Sequence, residues 1–337
     1  MKYLIYSDVH ISQGSSIVKQ EGIKYSVRLE HIIDSINWAE ELAEKENCSA
    51  IFNLGDTFDK PIINSMEATA VQDIRWNNLP HYTLVGNHDS DVASLEYSSV
   101  NILKKLGFEI IAQPKTIVLN KDKFVFIPYI TENNRKEFNY YVKDKDSIVL
   151  SHNDVAGFNF GGFLSKDGFA IDDIEKGCKL FLNGHLHNSS FLSKKVLNVG
   201  NLCGQNFSED AFKYSHGCWI LDTDSMSLEF FENPYSFNFY QIEYPNDVDK
   251  LSILKDNAVI NIKCERSQKS LLEQDLLRIS NKIIAKRITI FDKEVESDEN
   301  EIIKLEKVDH LKQLKDYIID TLGSTEIVQK ELKEICK

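Results

Sequence analysis

Hydrophobic residues along this chain gather in short runs that stop abruptly at a polar or charged residue, and the stretches between them carry helical spacing. Residues 2–7 alternate into a strand. Residues 29–46 place Ile32, Ile33, Ile36, Ala39, Leu42 and Ala43 on one face with charges between them, which predicts an amphipathic helix. Further strands are expected from residue 51 and at 81–85, 116–119, 124–128, 147–150, 179–182, 196–199, 216–222 and 227–231, with helices at 65–77 and 95–106. Residues 120–123 read as the turn of a hairpin. This alternation of β and α predicts a layered α/β sandwich.

Beyond Asn233-Pro234 the pattern changes to a small α+β unit, with strands at 239–244, 258–264 and 287–291 around a helix at 271–285. An acidic run over 292–301 reads as a solvated loop. Residues 308–337 read as two helices broken at Gly323-Ser324, the first with Leu311, Leu314, Ile318 and Leu322 along one stripe. The expected organisation is a large domain over 1–234, a small capping domain over 235–296, and a linker with helical tail over 297–337.

Bulk composition narrows the class. The 337 residues suffice for one large domain and a smaller one. No apolar run approaches the ~20 residues of a spanning helix. The opening MKYLIYSD reads as a strand that meets a charge, not as a signal peptide. Six scattered cysteines without a CxxC pair are those of a reduced, cytoplasmic protein. The formal charge of −13 counts against simple nucleic-acid binding, which draws on Lys and Arg at phosphates. A nucleic-acid substrate would need clustered basic residues, bound cations or a partner's basic surface.

Candidate chemistry sits where the apolar runs end. IFNLGDTFD, from residue 51, turns at Gly55 and presents Asp56, in the place where strand-end loops of α/β sheets collect ligands. Four other segments repeat the arrangement: YLIYS before Asp8-Val9-His10, YTLVG before Asn87-His88-Asp89, SIVLS before His152, and KLFLNG before His185-Leu186-His187. Five strand ends thus carry oxygen and nitrogen donors and no cysteine. Such a set suits Mn²⁺, Fe²⁺ or Zn²⁺, with Mg²⁺ also open. Asp56 is read as the carboxylate shared by two cations ~3.5–4 Å apart, able to activate water for phosphoryl transfer without a covalent nucleophile. His88, beside a ligand position, is a candidate general acid or phosphate-binding cation. Asp59 is expected behind the ligands, hydrogen-bonding a ligand imidazole. His31, His81, His216 and His310 are expected at the surface or satisfied in the core. The aromatic FNFGGF stretch (158–163) is read as a packed loop.

The motifs DVH, GDTFD, GNHD, the lone His152 and GHLH, in this order, resemble the calcineurin-type metallophosphoesterase superfamily over roughly the first 230 residues. Within it the chain most resembles the SbcD-type nuclease subunits of DNA double-strand-break processing, particularly the shorter phage recombination nucleases. Total length, the VGNLCGQNFSED segment, the small cap and the helical tail carry that closer likeness. The resemblance implies a four-layer α/β/β/α sandwich with a capping domain and C-terminal helices. It implies that Asp8, His10, Asp56 and His187 bind one metal, that Asp56, Asn87, His152 and His185 bind the other, and that Mn²⁺ fills both. His88 would assist departure of the leaving oxygen, with Asp89 orienting its ring. Residues 200–206, with Asn201 and Gln205, would approach DNA backbone through main-chain amides.

The implied activity is Mn²⁺-dependent hydrolysis of duplex ends from 3′ to 5′ and endonuclease cleavage of single strands. The implied partner is an SbcC-type SMC-like ABC ATPase docked on the terminal helices. A homodimer through residues 29–46 and 65–77 is also implied. The competing function is hydrolysis of cyclic nucleotides or small phosphodiesters. Protein phosphatases follow the second Asp of GDxxD with Arg, whereas Asp59 is followed by Lys60-Pro61, and Lys is no bidentate clamp. A non-catalytic scaffold would have lost ligands, and here every expected position is filled.

Overall fold

In a computed structural model, residues 1–292 are described, except 92–93, 132–133, 136–141, 158, 161–162 and 166–167. Seven strands lead from the N-terminus into the middle of the chain: β1 (Lys2–Tyr6), β2 (Ile51–Asn53), β3 (His81–Leu84), β4 (Glu109–Ile111), β5 (Lys115–Leu119), β6 (Asp122–Ile127) and β7 (Ile148–Ser151). Four two-residue strands follow, β8 (Val155–Ala156), β9 (Asn159–Phe160), β10 (Phe163–Leu164) and β11 (Phe169–Ala170). Next come β12 (Leu180–Asn183), β13 (Ser190–Phe191), β14 (Val196–Asn198), β15 (Gly217–Asp222) and β16 (Ser227–Glu232). The last three are β17 (Asn238–Tyr244), β18 (Ala258–Glu265) and β19 (Ile283–Phe291). The helices are α1 (Val27–Lys45), α2 (Ser65–Asp73), α3 (Ile171–Gly177) and α4 (Lys269–Arg278).

Two six-stranded sheets form the main body, in the orders β16-β15-β1-β2-β3-β4 and β13-β14-β12-β7-β6-β5. The centre of each is parallel, β1 to β4 in the first and β6, β7, β12 and β14 in the second. Strands buried on both faces explain the continuous apolar runs. In β1, Tyr3 and Ile5 face the second sheet while Leu4 and Tyr6 face the helices, and all four are at most 2% exposed. Between the sheets Phe52 lies amid Tyr3, Tyr82, Phe124 and Phe126, with ring centroids 4.9–5.7 Å away. Leu29, Ile32 and Ile36 of α1 cover the outer face of the first sheet, and Ile174 of α3 covers Val149 and Phe181 of the second. The order is therefore helix, sheet, sheet, helix, the four layers expected.

Residues 238–291 form a third sheet, β17-β18-β19, with an apolar cluster of its own around Tyr240, Ile260, Leu272 and Leu276. Its strands run parallel, joined by helical crossovers, so the small unit is built from βαβ connections and not from the α+β arrangement expected. Met1–Asp292 is one compact unit that holds both the two-sheet body and the third sheet. The acidic run beyond Asp292 and the terminal helices lie outside the described residues.

Three helices are shorter than their periodicity suggests. The helix expected at 95–106 is a 3₁₀ helix confined to Ser99–Leu106, because the Asp89 carbonyl takes both the Ser99 amide (2.8 Å) and its hydroxyl (3.0 Å). The helix expected at 271–285 stops at Arg278, since Ile283 and Ala285 pair with Ala258 and Val259 in the sheet. α2 likewise ends at Asp73 instead of 77. Five cysteines among the described residues are free and buried. Among the described residues no helix is long and apolar enough to cross a membrane.

The aromatic nest between the sheets sets a stability expectation. Phe52→Ala should lower unfolding free energy by about 3–5 kcal/mol, read as a shifted urea midpoint with the m-value retained.

Candidate metal centre

All five loops open at the carboxyl ends of parallel strands, three in the first sheet and two in the second, so their side chains meet at one end of the sandwich. The β1 and β2 loops are laced together beyond the strands: the Asp8 amide donates to Gly55 O (3.0 Å), His10 to Asp56 O (3.0 Å) and Ile11 to Thr57 O (2.8 Å). Turning side chains inward at those points requires unusual backbone. Asp8, His10, Asp56 and His185 adopt φ of 52°, 51°, 49° and 76°, a left-handed clustering characteristic of functional sites. Glycine makes the close approach possible. A Cβ on Gly55, itself at φ 110°, would come within 2.6 Å of His152 Nδ1, and one on Gly86 within 2.1 Å of Asp56 Oδ1.

Asp8, His10 and His187 each offer a ligand atom within 4.8 Å of the others, and Asp56, His152 and His185 do the same. His10, Asp56 and His88 form a third such group, which links His10 of the first triad to Asp56 of the second. The Asn87 side-chain oxygen joins the second, 2.9 Å from His185 Nδ1 and 3.2 Å from His152 Nε2. The seven positions singled out in the sequence thus stand together at one end of the sandwich.

The donor set demands a cation. His152 gives its Nδ1–H to Leu54 O (2.7 Å), which leaves the Nε2 lone pair facing two acceptors, Asp56 Oδ2 and Asn87 Oδ1, each 3.2 Å away. In the metal-free protein a proton must fill that gap. Burial would depress the His152 pKa, but the Asp56 carboxylate lifts it to about 9. Burial likewise works against Asp56 ionisation, and the His152, His10 and His88 imidazoles overcome it, holding the carboxyl far below its ordinary range. Asp8 Oδ1 and both His10 ring nitrogens are buried with no hydrogen-bond partner. Groups so costly to leave unpaired fit divalent ions held by oxygen and imidazole.

Behind the ligands are residues that position them. Asp59 Oδ1 stands 3.5 Å from His10 Nδ1, and that imidazole draws the Asp59 pKa down. Two carboxylates with the same job were not anticipated from sequence. Asp154 Oδ1 lies 3.3 Å from His185 Nε2. Glu209, fully buried, accepts from His187 Nδ1 at 2.6 Å, so that Nε2 is the atom left for a metal. Asp154 was within reach, because its spacing from His152 repeats that of Asp8 and His10. Nothing in the sequence connects Glu209 to a histidine 22 residues earlier. Arg28, buried at the start of α1, was also unanticipated; its guanidinium donates to the Gln205 side-chain oxygen and reaches His10 O at 3.5 Å.

Two expectations are corrected. Asp89 does not orient the His88 ring. Its carboxylate accepts from the Phe58 (2.8 Å) and Gly86 (2.9 Å) amides, joining the two loops, while burial and then Asp56 push its pKa up to about 7. His88 is positioned by backbone, with Nδ1 3.1 Å from Asp59 O and its amide donating to Asp56 Oδ1 at 2.8 Å. The main-chain amides of Asn201 and Gln205 are engaged inside, with His187 O and Glu209 Oε2, and are not free for a DNA backbone. The Asn201 side chain bonds Glu209 and His216, and that of Gln205 bonds Arg28, Val9 O and Cys203 O. Of the four remaining histidines, His81 and His216 are buried and partnered, His31 bonds Tyr235 O, and His310 lies outside the described residues.

The profile of the calcineurin-like phosphoesterases matches residues 1–189. The chain belongs to that family. No curated protein matches it. Among solved structures it is similar to an archaeal phosphodiesterase (17% identity, 69% of this chain and 99% of that one, TM-score 0.37). It is also similar to the TT1561 protein of Thermus thermophilus (15%, 68% and 98%, TM-score 0.42) and to a dimetal phosphatase from Danio rerio (12%, 65% and 91%, TM-score 0.39). In this phosphoesterase, as in its family, the site is dinuclear in design, and the Asp/His groups gathered here are the candidates to hold the ions.

Two outcomes test this centre. The side-chain hydrogen bond and charge of Glu209 overcome burial to lift His187, like His152, to about 9, so both carry protons at pH 7 that a metal must displace. Affinity for Mn²⁺ should therefore tighten as pH rises from 7 toward 9, with proton release seen as a buffer-dependent calorimetric enthalpy. Glu209→Gln should weaken one of the two sites by about 10–100-fold and spare the other.

Proposed function

We propose that this phosphoesterase is a Mn²⁺-dependent DNA nuclease subunit, acting 3′ to 5′ on duplex ends and endonucleolytically on single strands, within an SbcCD-type end-processing complex. The observation that carries this reading is how the third sheet meets the metal centre. From His187 the hydrogen bonds run through Glu209, and the next residue, Asp210, bridges directly to Phe239 of β17. The Ala211 amide donates to Phe239 O (2.9 Å), Gln241 Nε2 to Phe207 O (3.0 Å), and Phe212 packs against Tyr240 with ring centroids 4.6 Å apart. A sheet beyond the family-matched region is thus built onto the loop that holds a ligand. Such an added surface beside the reaction centre suits a polymer substrate better than a small diester.

Divalent ions, when bound, supply an activated water and neutralise charge on the phosphoryl oxygens. The chain's own residues do the rest. Asp8, His10, Asp56 and His187 would hold one ion, and Asp56, Asn87, His152 and His185 the other. His88 is exposed at their edge with Nδ1 committed to Asp59 O, so Nε2 is the atom that faces substrate chemistry. Protonated there, it can donate to the departing oxygen. Asp89 keeps the β2 and β3 loops in register, and so keeps His88 beside Asp56. Because the chain is acidic, part of the phosphate neutralisation is assigned to the ions and part to an ATPase partner docked on residues 297–337. A homodimer through α1 and α2 belongs to the same reading.

The test is degradation of end-labelled linear duplex and of circular single-stranded DNA with Mn²⁺, alone and with an SMC-like ATPase. Wild type should degrade both, and His88→Ala should be slower by about 10²–10⁴-fold. Hydrolysis of small diesters without any attack on DNA would instead favour the cyclic-nucleotide or small-diester function.

A further inference from the structure

Beside the metal centre lies an open cleft of about 560 Å³, lined by Lys60, Pro61 and Ile62 on one side and by Ser90, Asp91 and Tyr97 on the other. Its walls are continuations of the site itself. Lys60 follows Asp59, whose carbonyl positions His88, and Ser90 follows Asp89, whose carboxylate ties the two loops together through the Phe58 and Gly86 amides. A bridge between Ser90 and Ser98 brings the Tyr97 segment back against the second wall. The cleft therefore opens at the seam that carries His88.

Its surface is costly to leave bare. Ile62 is 86% exposed and Tyr97 81% exposed, two of the largest apolar exposures in the described chain. Among the described residues, no hydrogen bond engages the Tyr97 hydroxyl and no ion pair engages Lys60. An aromatic face, an aliphatic wall and a free ammonium group one residue from the reaction centre match a flat ring attached to a phosphate.

We infer that this cleft holds the nucleobase next to the scissile phosphate, stacked against Tyr97 with Ile62 and Pro61 on its other face, and with Lys60 toward the phosphate. This rests on the DNA-hydrolysis reading above and adds to it a base-binding subsite. Stacking is available from every base, so the subsite selects for the presence of a base and not for its identity.

The experiment uses the full chain with Mn²⁺ and a single-stranded thymidine oligonucleotide carrying one abasic (tetrahydrofuran) residue at a fixed position, with cleavage mapped at each phosphate. Wild type should cut one of the two phosphates flanking the abasic residue about tenfold less than the others. Tyr97→Ala should flatten that dip and Tyr97→Phe should keep it. Even cleavage across the abasic position by wild type overturns the subsite while leaving the nuclease intact. A dip that persists in both Tyr97→Ala and Ile62→Ala overturns the assignment to this cleft. An unchanged cutting pattern together with loss of a dimer in sedimentation would assign the cleft to contact between copies, again overturning it. Failure of wild type to cut any oligonucleotide, alone and with the ATPase, removes the nuclease reading and the subsite together.

Discussion

Electrostatic repulsion among acceptors governs this molecule. Asp8, Asp56 and Asn87 bring oxygen lone pairs, and His152 and His187 each bring a ring nitrogen whose partner nitrogen already donates to a carbonyl or carboxylate on the far side. Such a group of atoms, 4.8 Å or less apart and largely out of water, would separate unless a proton or a cation sat among them. The scaffold supplies the force that keeps them together. Each ligand hangs on a loop a few residues past a strand buried on both faces, so the energy of two packed sheets stands behind positions that are locally unfavourable. The left-handed conformations of Asp8, His10, Asp56 and His185 store the same conflict in the backbone.

What surrounds the ligands turns that conflict into a directional site. Asp154 and Glu209 each address the second nitrogen of a different imidazole, which orients the ring and decides which nitrogen is left to a metal, while Asp59 stands 3.5 Å from His10 Nδ1. Asp89 acts on backbone amides, so its effect is to set the spacing of the β2 and β3 loops. Glu209 has a wider reach. It is saturated by Asn201, Gln205 and Asn206 as well as His187, and it sits one residue before the bridge to the third sheet. That sheet is thereby joined, through one buried carboxylate, to the His187 ring.

The motif loops divide the labour. Inward, DVH, GDTFD, GNHD and GHLH assemble donors; outward, Lys60, Pro61 and Ile62 after one loop and Ser90 and Asp91 after another line an open cleft. A loop that does both has its inner half constrained by packing and its outer half free to differ.

The sequence alone determined the layering and marked the strand ends whose donors the fold gathers. Strand-length apolar runs ending in Asp, Asn or His are a local signal, since burial on both faces and a polar strand end are written in consecutive residues. Helical periodicity located α1 within two residues for the same reason. Only the tertiary structure decided what acts across distance. Glu209 behind His187, Arg28 against Gln205, and Asp89 joining loops instead of orienting His88 depend on which groups burial leaves without water. The end of α4 is settled by pairing with β18, which outweighs local propensity. Asn201 and Gln205 read as free polar residues in a glycine-rich turn, and they are bonded inward because a buried carboxylate and a buried guanidinium had to be satisfied there.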